Sequence, residues 1–485
     1  MRLENLHVDD IRSSLIAKQY SAVELVTAYL KRVHDVNGSL NAFLTVMADE
    51  ALEQARALDS RISSGENAGP LLGTVIAVKD NILMKGVRTT AGSKILDTYK
   101  GAYDATVVDR LRSAGALFIG KTNLDEFGMG ASTENSAYGA TKNPWDPSRV
   151  AGGSSGGSAA AIATAMSCAA LGTDTGGSIR QPASLCGVVG MRPTYGRVSR
   201  NGMIALSSSL DQIGPVTKTV GDAAAVFLAM AGRDSLDVTT VEKQLFIPQE
   251  ILGDITGMRI GVPKEYFIEG MDPEVEKTVR KALKQLEKLG AKIQEVHMPL
   301  TPYSLAVYYI TVVSEASSNL ARYDGVRYGS KLPRSSTFRE AYRRLRGDEL
   351  GEEVKRRIIL GTFSLSQGYF DRYYLQAQKV RARIKHEFTK VFDTVDCLVA
   401  PTSPTVAFAL GEKFSDPLTM YLSDIFTTPA SIADAPGISV PCGFVRGLPV
   451  GLQFMTAPFD EKTLFKVAHA YEQATDWHTR MAPLA

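Results

Sequence analysis

The sequence predicts an α/β fold, a sheet with helices packed on it. Two observations carry this. From Leu71 onward, short apolar runs that read as strands alternate with segments of helical periodicity. Before Leu71 the chain reads as helical, so a helical region precedes the alternating part.

In the N-terminal region, Val8, Ile11, Leu15 and Ile16 recur at helical spacing within residues 8–35. A second helix start falls at Ser21, where Glu24 three residues on completes a capping box. Leu25, Val26, Tyr29, Leu30 and Val33 form its apolar stripe. Residues 46–64 read as another amphipathic helix, and Gly65-Glu66-Asn67-Ala68-Gly69-Pro70 as a loop. Strands are then predicted at Thr74–Val78 and Ala116–Gly120, with helices over 104–114 and 158–171. A further strand–helix unit starts at Met258–Val262 and continues as helix 273–289. Residues 303–395 read as mostly helical and charged. Strand-like runs return at Cys397–Ala400 and Ile438–Val440, and the last helix falls near 460–475.

Composition excludes several classes. The chain has 485 residues, and length alone allows about three average domains. Hydrophobic residues make up 44% and charged residues 22%, ordinary values for a globular protein. The net charge of +2 offers no overall field to nucleic acid, so if the chain served RNA chemistry most of the RNA contact would lie on a partner. Cys168, Cys186, Cys397 and Cys442 show neither CxxC nor metal-ligand spacing, and read as buried, reduced thiols. No metal site is expected. The N-terminus has no apolar core of a signal peptide and carries acids, so a cytoplasmic location is expected. No run of 18 apolar residues suggests a membrane helix.

The densest chemical signal is Gly152-Gly153-Ser154-Ser155-Gly156-Gly157-Ser158, followed by Asp174-Thr175-Gly176-Gly177-Ser178-Ile179-Arg180. Glycines let backbone approach a substrate closely. The N–H groups of Thr175, Gly176, Gly177 and Ser178 could converge as an oxyanion hole. Residues 152–156 formally match the G-x-S-x-G elbow, which needs a downstream acid and His. The downstream histidines, His297, His386, His469 and His478, fall on charged helices or beside the C-terminus. A phosphate-loop reading fails because no GK[ST] follows. Lys79 is the other candidate base. It follows an apolar strand, and burial would lower its pKa toward neutrality. On position alone, a lysine at a strand end reads sooner as a surface ion pair, here with Asp80.

Lys79, the GGSSGGS loop and the DTGGSIR segment together resemble the amidase signature family, in its order and with Ser154 and Ser178 24 residues apart. The resemblance implies that Ser178 is the nucleophile and Lys79 the base. It also implies that Ser154 bridges Lys79 and Ser178 and relays the proton, that a cis peptide precedes Ser154, that Asp174 and Arg180 are structural supports, and that Ser155 orients the loop. The fold it implies is one large domain, residues 65–485, with a central mixed sheet covered by helices. Residues 1–64 would pack on that domain as a helical region.

A narrower resemblance is to the glutamine-hydrolysing branch of that family, which serves tRNA-dependent amidotransferases. It rests on Gly73–Ile82, Asn123–Gly130, Ser208–Pro215, Gly261–Phe267, Glu315–Gly325 and Ala474–His478. It implies glutamine as substrate, with Asp424 against the α-ammonium, Arg357 against the α-carboxylate, and Tyr308 or Tyr309 lining the same pocket. It also implies a heterotrimer with a B and a C subunit. ATP and magnesium would act on the partner, no cofactor in this chain, and charged tRNA would be met mainly through the partner. The chain departs from the branch at Ala151, where proline is usual, and at Asp434, where glycine is usual. Asp434 is expected near the glutamine pocket.

Overall fold

The structure is a computed structural model that describes residues 1–66, 69–335 and 337–484. Asn67 and Ala68 of the expected loop lie outside the described residues.

One eleven-stranded mixed sheet organises the chain. Its strands are β1 (Phe43–Val46), β2 (Val75–Lys79), β3 (Leu117–Thr122), β4 (Ala169–Asp174), β5 (Val189–Arg192) and β6 (Gln212–Thr217). These are followed by β7 (Arg259–Pro263), β8 (Lys292–Val296), β9 (Cys397–Pro401), β10 (Gly437–Val445) and β11 (Leu448–Met455). The spatial order is β1-β3-β2-β4-β6-β5-β10-β11-β9-β7-β8. Strands β3, β2 and β4 run parallel, as do β9, β7 and β8, while the strands between these groups pair antiparallel. Strands β2, β3 and β4 are buried along their whole length, as expected of sheet covered on both faces.

The N-terminal region supplies α1 (Val8–Ile16), α2 (Ala22–Leu40) and α3 (Ala48–Ser63). The capping box is present: Glu24 N donates to Ser21 Oγ at 3.1 Å, and Ser21 N donates to Glu24 Oε2 at 2.7 Å. Between α2 and α3 the chain adds β1 to the edge of the sheet beside β3, a strand that was not expected from the sequence. The core residues of α1–α3 belong to the same hydrophobic cluster as those of the sheet.

Further along come α4 (Thr106–Ser113), α5 (Gly156–Ala163), α6 (Arg180–Cys186), α7 (Val220–Met230) and α8 (Pro273–Lys288). The expected helix 158–171 is therefore too long. Helix α5 stops at Ala163, Ala165 turns to φ 53°, and Ala169–Asp174 becomes a central strand with a partner on each side. Two rows of ladder hydrogen bonds override the helix preference of the alanines there. The helical stretch contains α9 (Ser304–Asn319), α10 (Phe338–Glu349), α11 (Glu352–Ser364) and α12 (Gln376–Phe392). Short helices α13 (Pro417–Tyr421) and α14 (Thr428–Ile432) and the last helix α15 (Glu461–Gln473) complete the helices. All four cysteines are buried and free. No helix among the described residues is long and apolar enough to cross a membrane.

Candidate active site

The site forms where the parallel strands end. Lys79 is the last residue of β2, and the Thr175–Ser178 loop leaves the end of β4, its parallel neighbour. Carboxyl ends of neighbouring strands are where open α/β sheets collect ligands. Residues 152–155 run into α5, and Thr175–Ser178 run into α6. The first loop reaches the Lys79 side chain, and the second lies against the first.

Lys79 is fully buried. Its Nζ donates to Ser154 Oγ and to Ser155 Oγ, each at 2.8 Å, and to Thr173 O at 3.3 Å. Burial is the largest influence on the amine and lowers its pKa. Asp125, Asp174 and Asp211 pull the other way, and the balance falls at about 7. The surface pairing of Lys79 with Asp80 does not occur. Asp80 instead pairs with buried Lys121 at 3.0 Å and accepts from Thr90. Ser155 Oγ donates to Thr173 O at 3.2 Å, and its N–H donates to Ser178 O at 3.1 Å, tying the two loops together. The Gly153–Ser154 peptide is cis.

Ser178 is buried, and its hydroxyl has no hydrogen-bond partner among the described residues. Lys79 thus reaches Ser154 directly, while the step from Ser154 to Ser178 is not bridged by a hydrogen bond. The N–H groups of Thr175, Gly176, Gly177 and Ser178 also donate to nothing among the described residues. Unpaired buried donors are rare, and here four in sequence stand beside a free hydroxyl with no acceptor among the described residues. The loop is tightly backed. A Cβ on Gly176 would sit 2.5 Å from the Tyr308 ring, and one on Gly177, at φ 151°, 2.0 Å from Thr427 Oγ1. Thr175 Oγ1 donates to Asp211 at 2.7 Å, which fixes the start of the loop.

Asp174 and Arg180 anchor the same loop from below. Arg180 gives Nε and Nη2 to the two Asp174 oxygens at 3.0 and 3.1 Å. It gives its remaining donors to Thr427 O, Gln453 Oε1 and Ser431 Oγ. All five guanidinium protons are matched. Arg192 adds a second cation at 3.3 Å from Asp174. Burial alone would raise the Asp174 pKa, but the two arginines outweigh it and hold it at about 2.

The expected amino-acid pocket is only partly gathered. Asp424 is buried, its Oδ1 has no hydrogen-bond partner among the described residues, and that atom lies 3.3 Å from the Cβ position of Gly177. Burial, and then Asp174 nearby, push its pKa well up. Arg357 is buried on α11 and lies 5.4 Å from the ring centres of both Tyr309 and Tyr421. Its Nε donates to Glu353 Oε1 at 2.8 Å, and Tyr421 Oη donates to the same oxygen at 2.8 Å. Burial opposes the guanidinium charge, but Glu353 raises its pKa overall. Tyr309, Glu353, Arg357, Lys413 and Tyr421 line a cleft whose walls do not include Ser178 or Asp424. Tyr308 and Tyr309 touch edge to face at 5.0 Å and join the two halves.

Asp434 is not in this pocket. It takes φ 59°, and its carboxylate turns to Arg381 at 3.1 Å and to Lys385 on α12. Aspartate tolerates the left-handed backbone that glycine takes freely, and two cations occupy its charge. Among the described residues, none of the four downstream histidines hydrogen-bonds to a serine of the site. His297 follows β8 rather than lying on a helix, and it pairs with Glu265 at 3.3 Å.

Asp211, Arg192, Thr427 and Glu353 support the site without having been expected there. Glu353 had a readable signal, because it precedes Arg357 by one helical turn. The others act through contacts distant in sequence.

A family model described as Amidase matches residues 24–465. The chain is 52% identical over 483 residues to the glutamyl-tRNA(Gln) amidotransferase A subunit of Roseiflexus sp. (strain RS-1), with 99% of each chain covered. It is 53% identical over 482 residues to the corresponding A subunit of Gloeobacter violaceus, covering 99% of this chain and 98% of that one. Among solved structures, the glutamyl-tRNA(Gln) amidotransferase A subunit of Thermotoga maritima superposes with a TM-score of 0.82 at 42% identity, over 98% of this chain and 95% of that one. The peptide amidase of Stenotrophomonas maltophilia superposes with a TM-score of 0.80 at 31% identity, over 97% of each chain. The loops that meet beside Lys79 and the match across nearly the whole length have one reading: this chain belongs to the amidase family.

Proposed function

We propose that this chain is the glutamine-hydrolysing component of a glutamyl-tRNA(Gln) amidotransferase. Neutral Lys79 draws a proton from Ser154, and Ser154 in turn takes one from Ser178. Ser178 Oγ attacks the side-chain carbonyl carbon of glutamine. The carbonyl electrons move to its oxygen, which the N–H groups of 175–178 receive. The carbon–nitrogen bond then breaks, and the relayed proton leaves with ammonia. Water adds to the γ-glutamyl ester, Ser178 recovers its proton, and glutamate departs. The sum is glutamine plus water giving glutamate plus ammonia.

The observation that carries this chemistry is the buried hydrogen bond from Lys79 to Ser154, in a lysine whose pKa lies at about 7. Asp424 supports an amino-acid substrate. Its orphaned oxygen and raised pKa suit a carboxylate that becomes fully charged when an α-ammonium arrives. Arg357, beside the stacked rings of Tyr309 and Tyr421, has guanidinium edges suited to the α-carboxylate. Likeness along the whole length favours the amidotransferase over a free-standing amidase.

In this reading the ammonia passes to a partner that holds ATP, magnesium and glutamyl-tRNA, in a heterotrimer with B and C subunits. Which charged tRNA is amidated is then a property of that partner. The test is ammonia release from glutamine by the purified chain, alone and co-expressed with the neighbouring subunits. Release that rises with partners supports the reading. Hydrolysis of other amides without release from glutamine in either state would move the chain to the free-standing amidases.

A further inference from the structure

The Ser154 loop rests in a frame built by residues 125–135. Thr133 is the centre of that frame. It is buried and adopts φ 60°, a conformation that glycine takes freely and a β-branched residue does not. What threonine brings to this position that glycine cannot is a hydroxyl able to hydrogen-bond. That hydroxyl donates to Gly152 O at 2.7 Å and accepts from Gly156 N at 3.1 Å. The two partners lie two residues before and two residues after Ser154. One side chain therefore brackets the loop that presents Ser154 Oγ to Lys79.

The bracket is itself fixed. Thr133 N donates to Asp125 Oδ2 at 2.8 Å, and Asn135 N donates to Asp125 Oδ1 at 3.1 Å. Gln181 ties the same two segments a second time, accepting from Gly153 N at 3.0 Å and donating to Ala131 O at 2.9 Å. The fit leaves no spare room. A Cβ on Gly153 would lie 2.2 Å from Asp125 Oδ2, and one on Gly156 would lie 2.4 Å from Thr133 Oγ1. Two glycines of the GGSSGG run thus answer to this frame rather than to a substrate.

We propose that Thr133 is a positioning residue for the reaction: its hydroxyl holds the Ser154 loop in the geometry that lets Ser154 connect Lys79 to Ser178. Hydrogen bonds of this kind act on rate, because a small misplacement of reacting groups costs far more than the bond itself. The inference rests on reading Ser178 as the nucleophile, and it does not depend on glutamine being the substrate.

Three variants of the full chain, purified with its partners, separate positioning from plain stability. Thr133→Val removes the hydroxyl and keeps the unfavourable φ. Thr133→Gly removes the hydroxyl and relieves φ. Thr133→Ser keeps the hydroxyl. The readouts are kcat and KM for glutamine, the rate at which a fluorophosphonate labels Ser178, and the melting temperature. The expected result is a kcat loss of about ten- to a hundredfold in both Val and Gly, with KM near the parent value and slower labelling. Thr133→Gly should melt above Thr133→Val, and Thr133→Ser should regain most of the rate. If Val does not fold, Gly alone decides. If Gly keeps the parent kcat and labelling rate, or if rate follows melting temperature across the three, the proposal is overturned. A parent chain that labels at Ser178 but releases no ammonia from glutamine defeats the substrate reading, and the labelling rates still decide Thr133.

Discussion

The two halves of the site differ in how completely their polar groups are matched. Beneath the loops, Arg180 places all five donors, Asp174 is held by two arginines, and Lys79 reaches three oxygens. Above them, the Ser178 hydroxyl, the N–H groups of 175–178 and one Asp424 oxygen have no partner among the described residues. Buried polar groups are normally paired, so the contrast separates a scaffold side from a side whose groups are unclaimed among the described residues. It also separates two kinds of mutational effect. Changes to the matched half should act on stability or on the base, and changes to the unmatched half on turnover and binding.

The largest effect is expected at Lys79. Lys79→Met should lower kcat by roughly 10²–10⁴-fold while leaving the chain folded, since a buried amine is exchanged for an apolar chain. In the parent chain the base must be neutral to accept a proton. Its pKa of about 7 therefore predicts that kcat/KM falls as pH drops below that value and levels off above it. A steady-state pH profile checks both the limb and its disappearance in the variant.

Arg180→Met should come next, on the matched side. It leaves Asp174 buried with one cation and strips three other acceptors, so a loss of about 3–5 kcal/mol is expected in a denaturant titration. A variant that kept its stability and lost only activity would break the division into two halves.

Asp424→Asn should show the reverse pattern. A neutral amide removes the anion that an α-ammonium would meet, and KM for glutamine should rise by roughly 10- to 100-fold. The free protein should lose no stability, because the carboxylate it replaces is incompletely paired. Thermal melting and initial-rate kinetics on one preparation separate the two. The smallest effect is expected for Asp434→Gly. It releases Arg381 and Lys385 from a partly exposed ion pair and should leave KM for glutamine unchanged.

Much of this was legible in the sequence, and the limits follow from physics. Lys79, Ser154 and Ser178 could be singled out because glycine and serine runs of fixed spacing are rare inside an α/β pattern. The pairing of Lys79 with Ser154 was implied by the family resemblance and not by periodicity, which left Lys79 open to a surface pair with Asp80. Asp80 misled by adjacency: neighbours along a strand point to opposite faces, and only the β2–β3 pairing reveals Lys121 as its partner. The helix expected over 158–171 overran into β4 because alanine carries little local information once a strand is hydrogen-bonded on both edges. Asp434 was expected near the pocket because the resemblance placed it there, yet its charge turned to α12. Thr133 offered no sequence signal, since its hydroxyl acts on residues about twenty positions away and its φ is invisible in a one-letter code.

The central claim is that Ser178, and not the elbow-like Ser154, carries the acyl group. Acid quenching during glutamine turnover, followed by peptide mapping, tests it most directly. The account predicts a γ-glutamyl ester on the peptide containing Ser178, absent from Ser178→Ala. An ester on Ser154, or undiminished turnover in Ser178→Ala, would contradict it.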